Sequence, residues 1–194
     1  KKKLFLILLI PQLFLVSIYP IFSVRSYFNS LRNYEGIYGL NWLSREYPDD
    51  FAAIQWLNRI SGPTSSHFAD SFAGLRGATS AALPTLIEAD GDSYTDYNHF
   101  SAFTGMPTIV GWAVHEWLWR GGYEFVSPRR EEVRLIYESG NPQQIRAILA
   151  KYNVRFILVG SLERQKFANL DEGAIAVVAK PVFTYRTTVI YERD

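Results

Sequence analysis

The 194-residue chain has no cysteine, which excludes a disulfide framework, a thiol nucleophile and a thiolate metal site. It also lacks an excess of charge of either sign. Twenty basic and 19 acidic side chains leave a net charge of +1, too little for binding nucleic acid by bulk electrostatics. The length excludes a multidomain enzyme and suits one domain, or one domain with an appendage. No internal repeat is present. Aromatic residues are abundant at 15%, with five Trp and twelve Tyr, which fits a membrane interface or a sugar-binding surface.

Charge is also missing between Lys1-Lys2-Lys3 and Arg25. As a helix, Leu4–Val24 would measure roughly 31 Å at about 1.5 Å per residue, against a hydrocarbon core of ~30 Å. Pro11 and Pro20 are tolerated better in lipid than in a soluble helix. Tyr19, Phe22, Tyr27 and Phe28 cluster where an interfacial belt would lie. A transmembrane helix over residues 1–25 is therefore expected. The alternatives are a cleaved signal peptide, which would have a shorter apolar core and a small-residue cleavage site, and a buried core helix. The Lys triplet favours a cytoplasmic start and an extracytoplasmic remainder, with Arg25, Arg32 and Arg45 opposing it. A start at Lys rather than Met reads as a piece of a longer protein.

Residues 26–47 form a polar-aromatic connector without a clean period, and residues 48–194 a soluble domain. Pro48-Asp49-Asp50 opens a helix whose first-turn carboxylates suit free backbone N–H groups and the positive dipole end. Phe51, Ile54, Leu57 and Ile60 form its apolar stripe before Gly62-Pro63 ends it. Residues 62–83 read as a flexible insertion carrying His67 on a surface loop. A short strand lies at Leu86-Ile87. Ser127-Pro128 starts one helix, with Val133, Ile136 and Tyr137 inward. Asn141-Pro142 starts the next, with Gln144 placed for a capping box and Ile145, Ile148, Leu149 and Tyr152 on its core face. Strands are expected at Val154–Val159, Ile175–Ala179, Val182–Tyr185 and Thr188–Tyr191, the last two as a hairpin. The fold class is a small α/β domain with a mixed sheet behind one N-terminal transmembrane helix.

Polar groups concentrate between Glu88 and Arg120: Glu88, Asp90, Asp92, Asp96, His99, His115, Glu116 and Arg120. Tyr94, Tyr97, Trp112, Trp117 and Trp119 interleave with them, a mixture suited to a pocket where rings bound a ligand and charges orient it. Candidate ligand-binding residues are Glu88, Tyr94, Asp96, Tyr97, His99, Trp112, His115, Glu116, Trp119 and Arg120. His115-Glu116 lacks the second His of a zinc-protease helix, since position 119 is Trp119. Asp90, Asp92 and Asp96 carry hard oxygen donors suited to a divalent cation, Ca²⁺ or Mg²⁺, or form a solvated turn. No catalytic cofactor is implied. A Ser-His-Asp triad from Ser93 or Ser101, His99 or His115, and Asp96 has no nucleophile elbow around either serine. The tryptophans serve core packing, membrane anchoring or ligand stacking. His115 and Glu116 form either a structural pair or a functional one.

The run Glu88-Ala89-x-Gly91-x-x-Tyr94-Thr95-Asp96-Tyr97, through Ser101-Ala102-Phe103-Thr104-Gly105-x-Pro107-Thr108 to Gly111-Trp112-x-x-His115-Glu116-x-x-Trp119-Arg120, resembles the C-terminal soluble part of the YYY-type integral membrane proteins. Pro48-Asp49-Asp50, Ala53-Ile54-x-Trp56-Leu57, Tyr152-Asn153-Val154-Arg155 and Val159-Gly160-x-Leu162-Glu163-Arg164 extend the resemblance from about Pro48 to Arg164. Such proteins look like GT-C-type glycosyltransferases that use lipid-linked sugars. The resemblance implies a last membrane helix plus an outer domain at the plasma membrane, with catalytic residues upstream and a bilayer, further transmembrane helices and a lipid-linked sugar as partners. Asp90 stands where that pattern has a small or apolar residue, and His99 where it has arginine. The composition is equally compatible with a non-catalytic single-span subunit docking into a larger complex, and a tethered hydrolase using Asp96 with His99 or His115 is a third reading.

Overall fold

The computed structural model describes residues 2–32, 34, 36, 38–61 and 85–193. The chain divides into two units, Lys1–Asn41 and Trp42–Asp194. In the first, α1 (Lys2–Tyr27) forms over the uncharged run and carries both Pro11 and Pro20 inside it. Each proline removes a backbone donor from the helix, and Ser17 Oγ donates to the Leu13 carbonyl at 2.7 Å. Ile7–Tyr27 is 21 residues of apolar helix, long enough to cross a membrane, and none of it is buried. It is not packed as a core helix.

The order continues with α2 (Asn41–Glu46), α3 (Pro48–Ser61), β1 (Thr85–Ile87), α4 (His99–Thr104) and α5 (Ala113–Arg120). After a 3₁₀ turn at Tyr123–Phe125 come α6 (Ser127–Glu138), α7 (Pro142–Lys151), β2 (Val154–Val159), α8 (Ser161–Lys166), α9 (Glu172–Ala176), β3 (Ala179–Tyr185) and β4 (Thr188–Arg193). The sheet runs β1-β2-β4-β3, with β1 parallel to β2 and the other pairs antiparallel. This is an α/β fold with a mixed sheet. The expected insertion at residues 62–83, with His67, lies outside the described residues.

Local chemistry explains most element ends. Asn141 Oδ1 accepts from Gln143 N and Gln144 N at 3.1 and 3.3 Å, satisfying two of the free donors that open α7. The β3–β4 hairpin pairs Tyr185 with Thr188 and turns through Arg186 at φ 49°. One expectation fails: Ile175 does not begin a strand but lies in α9, and β3 starts only at Ala179. The Asp171 carboxylate accepts from Ala174 N at 3.0 Å, so a helix cap claims an apolar run too short to declare its own period. Asp49 and Asp50 do sit in the first turn of α3, yet their carboxylates reach the hairpin. Asp49 Oδ2 accepts from Thr187 Oγ1 at 2.9 Å, and Asp50 Oδ1 from Thr188 Oγ1 at 2.6 Å.

The main core packs Ile136 and Tyr137 of α6, and Ile145 and Leu149 of α7, with Ile157 and Val159 of β2. Phe156, on the alternate face of the strand, meets Trp56 of α3 at 6.3 Å between ring centroids. Tyr137 is fully buried, stacks on Phe167 at 4.5 Å and donates its hydroxyl to the Leu158 carbonyl at 2.7 Å. Tyr137→Phe is expected to cost about 1 kcal/mol by losing that bond, and Tyr137→Ala about 3–5 kcal/mol by adding a cavity. Chemical denaturation of the two variants measures the difference.

Candidate functional site

The site grows from the end of β1. Glu88 follows the strand, is buried, and its carboxylate accepts from Phe100 N at 2.9 Å and Ser101 N at 3.0 Å. Those N–H groups belong to the first turn of α4, so one side chain fixes the helix against the sheet. Burial pushes the Glu88 carboxyl up to about 7. Glu163 works in parallel. From α8 it accepts Ala89 N at 2.7 Å through one oxygen and Gly160 N at 2.8 Å through the other, and burial raises its carboxyl above the usual range.

His99, at the start of α4, is buried between two acceptors. Nδ1 lies 2.9 Å from the Asp96 carbonyl and Nε2 3.3 Å from Asp50 Oδ2. Burial favours the neutral ring, but the Asp50 carboxylate outweighs it and raises the imidazole above its ordinary value. Asp50 must come close to Gly160 to serve this role. A Cβ on residue 160 would meet Asp50 Oδ1 at 2.5 Å, so only glycine leaves room there.

In front of α4 opens a cavity of about 490 Å³. Asp96, Tyr97, His99, Trp112, His115 and Glu116 line it, as do Trp42, Asn98, Ser101 and Phe103. Trp112 and His115 stack at 5.4 Å with 28° between their planes, and Trp112 Nε1 donates to the Tyr97 carbonyl at 3.2 Å. Exposed Tyr94 touches both rings, at 5.7 and 5.5 Å. Asp96 Oδ2 accepts the Tyr47 hydroxyl at 2.9 Å, and burial, followed by that bond, pushes the phenol up to about 12. Asn98 donates Nδ2 to the Val110 carbonyl at 3.1 Å, while its buried Oδ1 has no protein partner.

The structure thus brings together six of the ten expected residues. Glu88 lies beneath the cavity as a support. Tyr94, Trp119 and Arg120 are outside its lining. Glu116 accepts from Gly111 N at 2.6 Å and Arg120 Nε at 2.9 Å, so it braces the loop that leads into α5, and the pairing with His115 is one of sequence only. Two of the three aspartates turn to different partners, and Asp92 is engaged through its backbone carbonyl, which accepts from Thr95 Oγ1 at 2.6 Å. Asp90 pairs with Lys166 and with Arg130 Nε, the latter at 2.7 Å, and Asp96 holds Tyr47. Among the described residues no three metal-ligating side chains converge. The Ser-His-Asp triad is not assembled either: Ser101 Oγ donates to the Asn98 carbonyl at 3.1 Å, Ser93 Oγ is buried without a protein partner, and both His99 nitrogens face other groups. Trp42 and Asn98 were missed in the sequence. Trp42 sits in a connector without periodicity, and Asn98 declares itself only by its left-handed φ of 66°.

Fold and site together define a small mixed-sheet α/β domain with an open, aromatic-walled cavity, on a chain carrying one helix apolar and long enough to cross a membrane. No protein-family model, curated protein or solved structure matches the chain.

Two predictions follow from the buried acids and from Glu116. Glu88, Glu163 and His99 all bind a proton more tightly when folded than their ordinary values imply. For Glu88 the stabilisation is fully present below its ordinary 4.5 and is lost as pH rises through about 7. Melting temperature is therefore expected to fall on the order of 5 °C between pH 5 and pH 8, and Glu88→Gln, an imitation of the protonated acid, to flatten that slope. Calorimetry across the range reads both. Glu116→Ala, which strands the Gly111 N–H, is expected to cost about 1–3 kcal/mol, whereas His115→Ala leaves stability nearly unchanged in the same denaturation assay.

Proposed function

We propose that this chain is the outer, membrane-anchored domain of a glycosyltransferase-like integral membrane protein at the plasma membrane, and that its cavity holds the sugar part of a lipid-linked ligand. The Trp112–His115 stack on the cavity wall carries this reading. Flat rings offer apolar faces to the C–H faces of a pyranose, while the exposed Asp96 carboxylate in the same lining, which accepts the Tyr47 hydroxyl through one oxygen, keeps lone pairs for the sugar hydroxyls. The volume of about 490 Å³ falls within the ~300–1,000 Å³ usual for small-ligand sites.

The apolar run of α1 supports the anchor, and the lysines before it support an extracytoplasmic domain. The polar groups of the cavity support holding a ligand over transforming one. Asp96, His99 and Glu116 already serve protein partners, and the resemblance to GT-C proteins puts the catalytic acid elsewhere. The same commitment of polar groups favours, as a second reading, a non-catalytic subunit that presents the ligand to a larger complex.

Titration of the full chain in detergent with neutral pyranoses and pyranose 1-phosphates, read by saturation-transfer NMR, tests the proposal. Trp112→Ala is expected to weaken binding about tenfold, the loss of ~1.5 kcal/mol of ring contact. His115→Ala is expected to do the same at unchanged melting temperature. Binding that survives both substitutions, or an absence of binding by any of these probes, refutes the sugar site.

A further inference from the structure

Exposed large apolar side chains of the α/β unit are concentrated rather than scattered. Of the eight described after Trp42, five fall within residues 117–125: Trp117, Leu118, Trp119, Tyr123 and Phe125. Trp119 is 87% exposed and Leu118 66%. Soluble surfaces normally carry such residues singly, and a cluster marks something that covers it. The segment is also ordered. Trp117 meets Tyr123 edge-on at 6.1 Å, and α5 closes with Gly121 N bonded to the Trp117 carbonyl at 3.0 Å. Trp117, Leu118 and Trp119 point in successive directions around the last turn of the helix, so the apolar side chains ring its C-terminal end, which the 3₁₀ turn at Tyr123–Phe125 follows closely.

Three observations name the covering partner as lipid. Trp and Tyr with Leu and Phe are the side chains a membrane–water interface selects. Arg120 is 46% exposed beside Trp119 while its Nε pairs with Glu116, and a long stem with a charged tip is tolerated at a membrane interface. The chain itself supplies the bilayer: only residues 28–40 separate α1 from α2, and thirteen extended residues reach about 45 Å at most. A bilayer that holds α1 is always within that distance of the start of the domain.

We infer that residues 117–125 lie in the interfacial zone of the bilayer that holds α1, forming a second, shallow membrane contact. This rests on α1 spanning that bilayer and is independent of what the cavity binds.

The absence of native cysteine makes the test direct. The full chain, reconstituted in phosphatidylcholine vesicles containing phosphatidylglycerol, carries a nitroxide at Leu118→Cys, Trp119→Cys or Phe125→Cys. Val177→Cys in the same unit and Val16→Cys in α1 serve as references. Collision with oxygen reports lipid exposure, and collision with a nickel chelate reports water exposure. The three labels are expected to meet the chelate several-fold less often than the label at 177, and oxygen more often. A lipid-exposed label at 16 with water-exposed labels at 118, 119 and 125 overturns this inference alone. A water-exposed label at 16 overturns the membrane span and the inference with it. Labels shielded from both reagents, with spin–spin broadening between chains, assign the face to a second copy and also overturn it.

Discussion

Where β1 and β2 end side by side, their ladder stops and backbone N–H groups are left in the interior with no strand to receive them. Glu163 supplies the missing acceptors, one oxygen on Ala89 N and the other on Gly160 N. Glu88 does the same for the opening turn of α4, and Asp50 ties α3 to the hairpin and to His99. A buried carboxylate is costly to desolvate and is kept only when its oxygens are occupied. These three are occupied, and each joins elements distant in the chain. The cavity depends on them, because α4 and the residues before it have few other attachments to the sheet.

That dependence also explains why the acids nearest the cavity do not face it. A carboxylate accepting two backbone N–H groups has its lone pairs aimed at the protein, and turning it toward a ligand would strand two donors at about 1–3 kcal/mol each. Glu88 has this arrangement beneath the cavity, and Glu116 at its rim is held by one backbone N–H and the Arg120 guanidinium. On the proposed reading, a ligand would instead meet the ring faces of Trp112 and His115. Such groups recognise shape without needing a particular protonation state.

Legibility in the sequence followed the range of the forces involved. α6 and α7 were readable because Ser127-Pro128 and Asn141-Pro142 are local signals placed before local periodicities. β2 and the hairpin were readable from β-branched runs ended by Gly160 and by a two-residue turn. The concentration of polar and aromatic residues between 88 and 120 singled out this segment, and six of its ten candidates line one cavity. What stayed hidden is held at long range. The six-residue α4 owes its position to Glu88, and His99 to Asp50 from the far side of the chain. Ile175 was misassigned because the cap from Asp171, four residues earlier, decided what its own apolar neighbours could not. Trp42 gave no sign, being the second residue of a helix too short to show a period.

An open cavity with one stacked aromatic pair grips a free sugar only weakly, since each ring contact is worth about 0.5–1.5 kcal/mol. A ligand anchored in the same bilayer as α1 changes that balance. Confining both partners to one surface replaces a three-dimensional search by a local one, with effective concentrations on the order of millimolar for short tethers. Weak contacts then suffice for occupancy while still permitting release. A deeper, more polar pocket would bind the headgroup more tightly but would have to draw it away from the membrane, against the roughly 0.8 kcal/mol that each buried methylene of the lipid contributes to staying there.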